Sequence, residues 1–321
     1  MIAASGFVGR QLVGALLAEG RVVRCLVRNP ARVPELAEAG CEIVQGDISD
    51  AAAVRRAMAS VAAVYVSIHT LSPQPAGGAA RFTDVEKSGL QNVIAACRSC
   101  GVTRVVYVTS LGVSADASSE WLRERWHVEQ SLVDGGIDAT VVRPGHIVGV
   151  GGRGFDTMVG NARRRVAITF GGALPRMRTI AIDDLVCYLV GVLDDPRTYG
   201  QRYDVGDDDV LSINQLIDGI AAILGRRRPI KAAVPMRLLG ALAPFVERGT
   251  KLPAGAVTGF VDGMKVDAVG DPVPIRAILP RPLLPFRAAV ERALSPSKEV
   301  RPGRYSSPER PASSVPSSSR S

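Results

Sequence analysis

The chain has 321 residues, of which 46% are hydrophobic and 5% aromatic, and its formal net charge is +8. This length allows one α/β domain with an elaboration, and so few aromatic residues argue against a surface that stacks on single-stranded nucleic acid. The basic charge is scattered apart from the cluster at residues 226–228. Because no helix-turn-helix or ribonucleoprotein motif accompanies it, we interpret it as a solvated surface and expect no nucleic-acid partner.

The cysteines indicate a reducing compartment. All five are scattered without a framework of pairs, and no signal peptide precedes them, which predicts a cytoplasmic protein. Cys97 and Cys100 are spaced as C-x-x-C, but no second pair completes a zinc site, so we expect an ordinary helical pair and no metal. No apolar run reaches the roughly 18 residues that span a bilayer, and we expect no membrane contact.

From the N-terminus to about residue 150, helix-like and strand-like hydrophobic patterns alternate. This alternation predicts parallel strands joined by crossover helices. The predicted helices and strands alternate as helix 7–19, strand 22–27, helix 34–39, strand 41–45, helix 51–58, strand 62–68, helix 85–100, strand 104–109, helix 121–133 and strand 139–142. The run of Val and Tyr in 104–109 predicts a strand buried on both faces. Ligands of such sheets bind at the carboxyl ends of the strands.

The alternation is lost after Gly149. Residues 151–178 begin with a Gly-rich stretch and have no clear period, so we predict an irregular insertion there. The predicted elements that follow are a helix from Asp183 to about Asp194, a strand at 202–205, a capped helix at 212–224 and short helical segments within 229–294. We therefore predict a core at 1–150, a smaller and mainly helical lobe at 151–294 that returns strand 202–205 to the sheet, and a disordered Ser/Pro/Arg-rich tail at 295–321.

A glycine turn lies almost at residue 1. The segment Ala3-Ala4-Ser5-Gly6-Phe7-Val8-Gly9 differs from G-x-x-G-x-x-G at one position and leads directly into an amphipathic helix. Gly6 would let the backbone approach a diphosphate, and Gly9 would let the helix pack closely on the sheet. Ala3 stands where the glycine of the tightest part of the turn is usually found. The segment predicts that a dinucleotide is held at the helix N-terminus.

The next strand ends at Arg28 rather than at an acidic residue. An acidic residue there would bind the ribose 2′-hydroxyl of NAD, whereas an arginine can pair with the 2′-phosphate of NADP. We therefore expect NADP(H), with NAD(H) as the weaker possibility, and expect Arg32 to assist. The alternative interpretation of Arg28 is a solvated loop charge.

The strand before the glycine turn would have to be residues 1–3. In the usual order of a doubly wound sheet this strand is central, and three residues are too few to pair fully with both neighbours. Unpaired backbone groups in a core are costly. We therefore expect the natural start of the chain to lie upstream, with about five apolar residues and a glycine-containing turn.

Together these segments resemble the atypical short-chain dehydrogenase/reductases, in particular the NmrA-like group and related NAD(P)H-binding bacterial reductases. The resemblance extends from residue 1 to about 294 and is carried by SGFVG at 5–9, LVRNP at 26–30, QGDI at 45–48, VYVTS at 106–110, VRPG at 142–145 and IAIDDL at 180–185. It implies a Rossmann-type doubly wound parallel sheet with a smaller, mainly helical C-terminal lobe, its first strand truncated here.

The resemblance also implies the cofactor contacts. Asp47 and Ile48 should flank the adenine, Ser67 and Ile68 the ribose on the nicotinamide side, and residues 144–147 the nicotinamide. The predicted cofactor-binding residues are Ser5, Gly6, Phe7, Val8, Gly9, Arg28, Arg32, Asp47, Ile48, Ser67, Ile68, Thr109, Pro144, Gly145 and Ile147. Asp47 and Asp183 could each instead cap a helix; we favour cofactor contact for Asp47 and capping for Asp183.

The acid–base pair of the superfamily is missing. Other members use a tyrosine four residues before a lysine, and alignment on Glu129 and on Arg143-Pro144 places Trp121 and Arg125 at those positions. An indole does not titrate in the useful range, and an arginine can hydrogen-bond a ribose without transferring a proton. The remaining catalytic candidates are Ser110, Arg125 and His146, followed by Tyr107, His69 and His127.

Two functions stay open. The first is an NADPH-dependent reductase of a small organic substrate, with a pocket closed by residues 150–180 and 229–294. The second is a non-catalytic NAD(P)-binding redox-sensing regulator or assembly factor, which the exchange at Trp121 and Arg125 favours. Because hydride transfer needs mainly orientation by the protein, and because the C-terminal lobe is long enough to enclose a small molecule, we favour the reductase. The sequence leaves the substrate and the oligomeric state open.

Overall fold

A computed structural model describes residues 1–68, 82–171, 175–235, 256–263 and 266–295, together with the separate residues 238, 241–243, 245, 247 and 248. The predicted tail lies outside the described residues except for Ser295. Among the residues that the structure describes, no helix is long and apolar enough to cross a membrane.

The order of elements confirms the predicted alternation. The helices are α1 (Phe7–Ala18), α2 (Pro34–Glu38), α3 (Ala51–Met58), α4 (Phe82–Cys100), α5 (Glu120–Val133), α6 (Arg153–Ala162), α7 (Ile182–Gly191), α8 (Ile213–Ile223), α9 (Ala256–Gly263), α10 (Val273–Ile278) and α11 (Phe286–Leu294). The strands are β1 (Arg24–Val27), β2 (Glu42–Gln45), β3 (Ala63–Val66), β4 (Arg104–Val108), β5 (Asp138–Pro144), β6 (His146–Val148), β7 (Val166–Gly171), β8 (Arg176–Ala181), β9 (Gln201–Val205), β10 (Val210–Ser212) and β11 (Ile230–Pro235).

Ile2 joins the two halves of the main sheet. On one side β1 pairs with β2, and on the other side β3, β4, β5 and β9 pair in that order, all in parallel. Ile2 forms parallel bridges with both Leu26 and Val66, and its amide donates to the Tyr65 carbonyl at 2.9 Å. The sheet therefore has the doubly wound order, with its first strand reduced to the bridges of one residue.

Helices cover both faces of this sheet. Val106 and Val108 of β4 pack in a cluster with residues of α1 and α7. Val105 and Tyr107, which point to the opposite face, pack in a second cluster with residues of α3, α4 and α5. Every residue of β4 is buried, as its apolar run predicts.

The C-terminal lobe differs from the prediction in two places. The supposedly irregular stretch 151–178 contains α6, β7 and the start of β8, and the supposedly helical stretch 229–294 begins with β11, which pairs with β7 in parallel. Because these partners are about sixty residues apart, no local pattern could reveal the pairing. Near the predicted return strand, β9 lies beside β5 in the main sheet.

The expectation that Asp183 caps its helix is wrong. The residue at the N-cap of α7 is Ala181, which has an extended backbone, and Asp183 lies within the first turn. There its carboxylate is 3.1 Å from the Arg292 guanidinium of α11. An acidic residue in a first turn still interacts favourably with the helix dipole.

Candidate functional site

A cleft of about 600 Å³ opens at the carboxyl ends of the parallel strands, a volume typical of small-molecule sites. It brings together the predicted site residues Ser5, Gly6, Phe7, Val8, Arg28, Asp47, Ile48, Ser67, Ile68, Thr109, Ser110, Arg125, Pro144, Gly145, His146 and Ile147. Sequence reasoning missed the lining residues Leu111, Leu122, Arg153, Met177, Gly263 and Ala268. Gly9 lies beneath the turn, and Arg32 lies on an exposed 3-10 turn outside the cleft lining.

The glycine turn forms one end of the cleft. Ala3 has a φ of 65°, the left-handed conformation that normally calls for glycine. Gly6 is the N-cap of α1, and no side chain of the described residues caps this helix. A Cβ atom on Gly9 would lie 2.4 Å from the Ala3 carbonyl oxygen, so only glycine fits between the turn and the helix. The uncapped helix N-terminus at the cleft fits the diphosphate of a dinucleotide.

The Gly-rich stretch after β6 packs on this turn. A Cβ atom on Gly149 would lie 2.7 Å from the Phe7 ring, and one on Gly152 would lie 2.9 Å from it. Likewise, a Cβ atom on Gly154 would lie 2.8 Å from the His146 ring. Gly149 and Gly152 therefore let the start of α6 approach α1, and Gly154 lets it approach β6. In the sequence this arrangement is visible only as a cluster of glycines.

Arg28 and Asp47 lie side by side at the ends of β1 and β2. Their nearest charged atoms, Nε of Arg28 and Oδ2 of Asp47, are 3.9 Å apart, and the two side chains are 48% and 38% exposed. Asp47 does not cap α3, because Asp50 accepts hydrogen bonds from the first amides of that helix. Asp47 accepts instead from the amide and hydroxyl of Ser49. This leaves a cation and an anion at the rim of the cleft.

Thr109 is hydrogen-bonded to the buried Glu129. The Thr109 hydroxyl donates to the Glu129 carboxylate at 2.8 Å, and the Arg143 guanidinium donates to the same carboxylate at 3.0 Å. Glu129 is fully buried. A buried carboxylate needs such donors to offset the loss of hydration. Glu129 therefore fixes the ends of β4 and β5, and the Thr109 hydroxyl points to it.

Besides Nε of Arg125, two polar atoms at the other end of the cleft have no hydrogen-bond partner among the described residues. They are Oγ of Ser110 and Nε2 of His146, both shielded from solvent. Burial lowers the pKa of His146 to about 4, so its imidazole is neutral at pH 7. Because buried polar groups are nearly always paired, these two atoms are candidates for ligand contact.

Trp121 and Arg125 form a wall of the cleft. The Arg125 guanidinium lies 4.2 Å from the centre of the Trp121 ring and donates to the Ile68 carbonyl at 3.1 Å. Tyr107 is buried in the sheet, where burial raises the pKa of its hydroxyl, and it is not among the lining residues. His127 is exposed and packs edge-on against Trp126.

His69 lies outside the described residues. Of the predicted proton donors, Ser110 and His146 are thus the ones that the described structure places at the cleft.

Comparison with known proteins gives consistent matches. A family model described as NAD(P)H-binding matches residues 3–195. Sterol demethylase protein B of Methylococcus capsulatus is 27% identical over 75% of the chain and 78% of its own length. The (4-alkanoyl-5-oxo-2,5-dihydrofuran-3-yl)methyl phosphate reductase of Streptomyces griseus is 25% identical over 88% of the chain and 93% of its own length. The photosystem II assembly factor Ycf39 of Cyanophora paradoxa is 27% identical over 44% of the chain and 43% of its own length.

Solved structures share the fold at lower identity. The structure of the NADPH-dependent quinone oxidoreductase QOR2 from Escherichia coli in complex with NADPH superposes with a TM-score of 0.67 at 20% identity, covering 91% of the chain and 98% of that structure. The likeness extends over the main sheet and the C-terminal lobe.

Proposed function

The chain belongs to the NAD(P)H-binding family, and from that premise we propose that it is an NADPH-dependent reductase of a small organic substrate. The observation that carries the proposal is a continuous cleft with the glycine turn and Arg28 at one end and, at the other, Ser110 and His146 atoms that lack a partner among the described residues. A cofactor extended along this cleft would present its nicotinamide to a second molecule beside the C-terminal lobe.

The residues present suit the parts of the cofactor. The amides of residues 6–8 would hold the diphosphate, and Arg28 would pair with the 2′-phosphate. Ile68 and Arg125 would contact the ribose beside the nicotinamide, while Pro144 to Ile147 would contact the nicotinamide itself. The bound cofactor supplies the hydride, and the protein supplies orientation.

The polar groups at the nicotinamide end favour an acceptor that needs little help from an acid. The Ser110 hydroxyl and the neutral His146 imidazole can donate hydrogen bonds to a substrate oxygen, but neither is a strong acid at pH 7. A conjugated acceptor such as a quinone or an enone spreads the negative charge that forms on hydride addition. Such substrates therefore suit the cleft better than simple ketones do. The similarity to a reductase and to a quinone oxidoreductase supports this choice.

The second candidate is a non-catalytic NAD(P)-binding redox-sensing regulator or assembly factor. It is favoured by the replacement of the acid–base pair with Trp121 and Arg125, neither of which transfers protons. A similarity to a photosystem II assembly factor, which extends over less than half of the chain, also supports this candidate.

Titration of the purified protein with NADPH and NADH, followed by fluorescence, tests cofactor binding. Loss of NADPH absorbance with a panel of aldehydes, ketones, quinones and enones then tests catalysis. We expect tighter binding of NADPH than of NADH and turnover with quinones or enones. Tight NADPH binding without oxidation by any panel member would favour the regulator. Tighter binding of NADH would contradict the role given to Arg28.

A further inference from the structure

Glu86 lies behind the wall formed by Trp121 and Arg125. Its side chain, on α4, is 4% exposed. One carboxylate oxygen is 2.8 Å from Nη2 of Arg125, and the other accepts a hydrogen bond from the Trp121 indole at 3.0 Å. The Tyr107 hydroxyl lies 3.5 Å from the same carboxylate. A single buried anion thus contacts both residues that occupy the positions of the missing acid–base pair.

Three contacts hold the Arg125 guanidinium in this wall. Glu86 holds the indole edge and the guanidinium, the guanidinium stacks on the indole ring, and it also donates to the Ile68 backbone at 3.1 Å. A planar guanidinium that is stacked and hydrogen-bonded in this way has little rotational freedom. Glu86 therefore sets the position of Arg125 relative to Ile68 at the nicotinamide end of the cleft.

Glu86 also sets the charge of this wall. Arg125 is 3% exposed, so its positive charge is poorly screened by water. The ion pair with Glu86 balances that charge. Breaking such a buried pair on one side is far more harmful than removing both charges together.

We propose that Glu86 is a positioning residue of the nicotinamide end, where it holds Trp121 and Arg125 in place and balances the charge of Arg125. The proposal rests on the proposed function, because it places the nicotinamide beside this wall. The oxidised nicotinamide ring carries a positive charge and the reduced ring does not. The balance at the wall therefore determines how strongly the site distinguishes NADP⁺ from NADPH.

The test compares the dissociation constants of NADP⁺ and NADPH in three variants. In Glu86→Gln the charge of Arg125 is unbalanced, and we expect NADP⁺ binding to weaken roughly five- to tenfold more than NADPH binding, as for one poorly screened charge nearby. In Arg125→Met the ratio should move in the opposite direction. In the double variant Glu86→Gln/Arg125→Met, which keeps the wall neutral, the ratio should return toward that of the wild-type protein.

Glu124→Gln is the matched control. Glu124 lies on α5 and its carboxylate is 3.2 Å from Lys87, so the variant loses an ion pair at the same helix interface but keeps Glu86, which contacts Trp121 and Arg125. Its ratio should equal that of the wild type. If the ratio of the two dissociation constants is the same in Glu86→Gln as in the wild type, whether or not both affinities fall, the inference is overturned. Failure of the wild-type protein to bind either cofactor would overturn the proposed function instead.

Discussion

Ala3 and Gly9 approach so closely that a Cβ atom on Gly9 would lie 2.4 Å from the Ala3 carbonyl oxygen. The same Cβ atom would lie 2.9 Å from Cα of Ala4, so backbone rather than a flexible side chain blocks it. Substitution Gly9→Ala must therefore displace the turn from the start of α1. Because the amides of that turn are the proposed diphosphate ligands, we expect NADPH affinity to fall by about tenfold or more in a fluorescence titration.

Gly14→Ala provides the control on the same helix. A Cβ atom on Gly14 meets nothing within 4 Å. Alanine is also the better helix former, so this variant should bind NADPH normally and gain about 0.5–1 kcal/mol in free energy of unfolding. Normal NADPH affinity in Gly9→Ala would show that the turn is not the diphosphate site.

The strained backbone at Ala3 predicts a stabilising substitution. Its φ of 65° costs an alanine about 1–2 kcal/mol, whereas glycine adopts this conformation freely. Part of that gain is lost because glycine has more freedom in the unfolded chain. We expect Ala3→Gly to raise the free energy of unfolding by about 0.5–1 kcal/mol in urea denaturation. A decrease would mean that Ala3 is not strained in solution.

Arg28 should decide between the two dinucleotides. Replacing it with Gln removes the cation proposed to pair with the 2′-phosphate, and a hydrogen bond to a charged group contributes about 1.5–3 kcal/mol. We expect Arg28→Gln to bind NADPH about tenfold or more weakly while NADH affinity stays nearly constant. Isothermal titration with both cofactors measures the two affinities directly.

The Arg32→Gln variant shows whether a loss of NADPH affinity comes from one specific ion pair at the cleft or from the loss of any nearby positive charge. Arg32 is exposed on a turn outside the cleft lining, so its removal tests the expectation that it assists Arg28. Equal losses of NADPH affinity in both variants would indicate a diffuse electrostatic effect rather than one specific pairing.

Burial of His146 predicts a loss of stability in acid. Its pKa falls from 6.5 to about 4 in the folded chain, so the unfolded chain binds more protons between these values. Stability contributed by the neutral imidazole is therefore complete above pH 6.5 and is lost as the pH falls toward 4, by about 3 kcal/mol at most.

The His146→Asn variant should lose this dependence on pH. Burial raises the pKa of Asp207 to about 7, which acts in the opposite sense over much of the same range. The informative quantity is consequently the difference between wild type and variant in urea denaturation at pH 4.5 and pH 7. A constant difference at both pH values would show that His146 is hydrated in the folded protein.

Local sequence was sufficient for most of the core. The hydrophobic periodicity predicted both ends of α1, α3, α5 and the buried strand β4 to within one or two residues. It failed for β7 and β11, because each of these strands exists through pairing with a partner far away in the chain. The expectation for Asp183 failed because α7 begins at Ile182, so that Ala181 is the N-cap and Asp183 lies within the first turn.

By itself, the sequence determined the doubly wound core, the glycine turn and the gathering of most predicted site residues at one sheet edge. The parallel core and the glycine turn follow from short-range patterns, and most individual cofactor contacts follow from the resemblance that these segments carry. Parallel strands bring their carboxyl ends together whatever the distance between them in the chain. Only the tertiary structure decided that Ile2 bridges the two halves of the sheet and that Glu86 holds Trp121 and Arg125. Those relationships depend on long-range packing around buried groups, which leaves no periodic trace in the sequence.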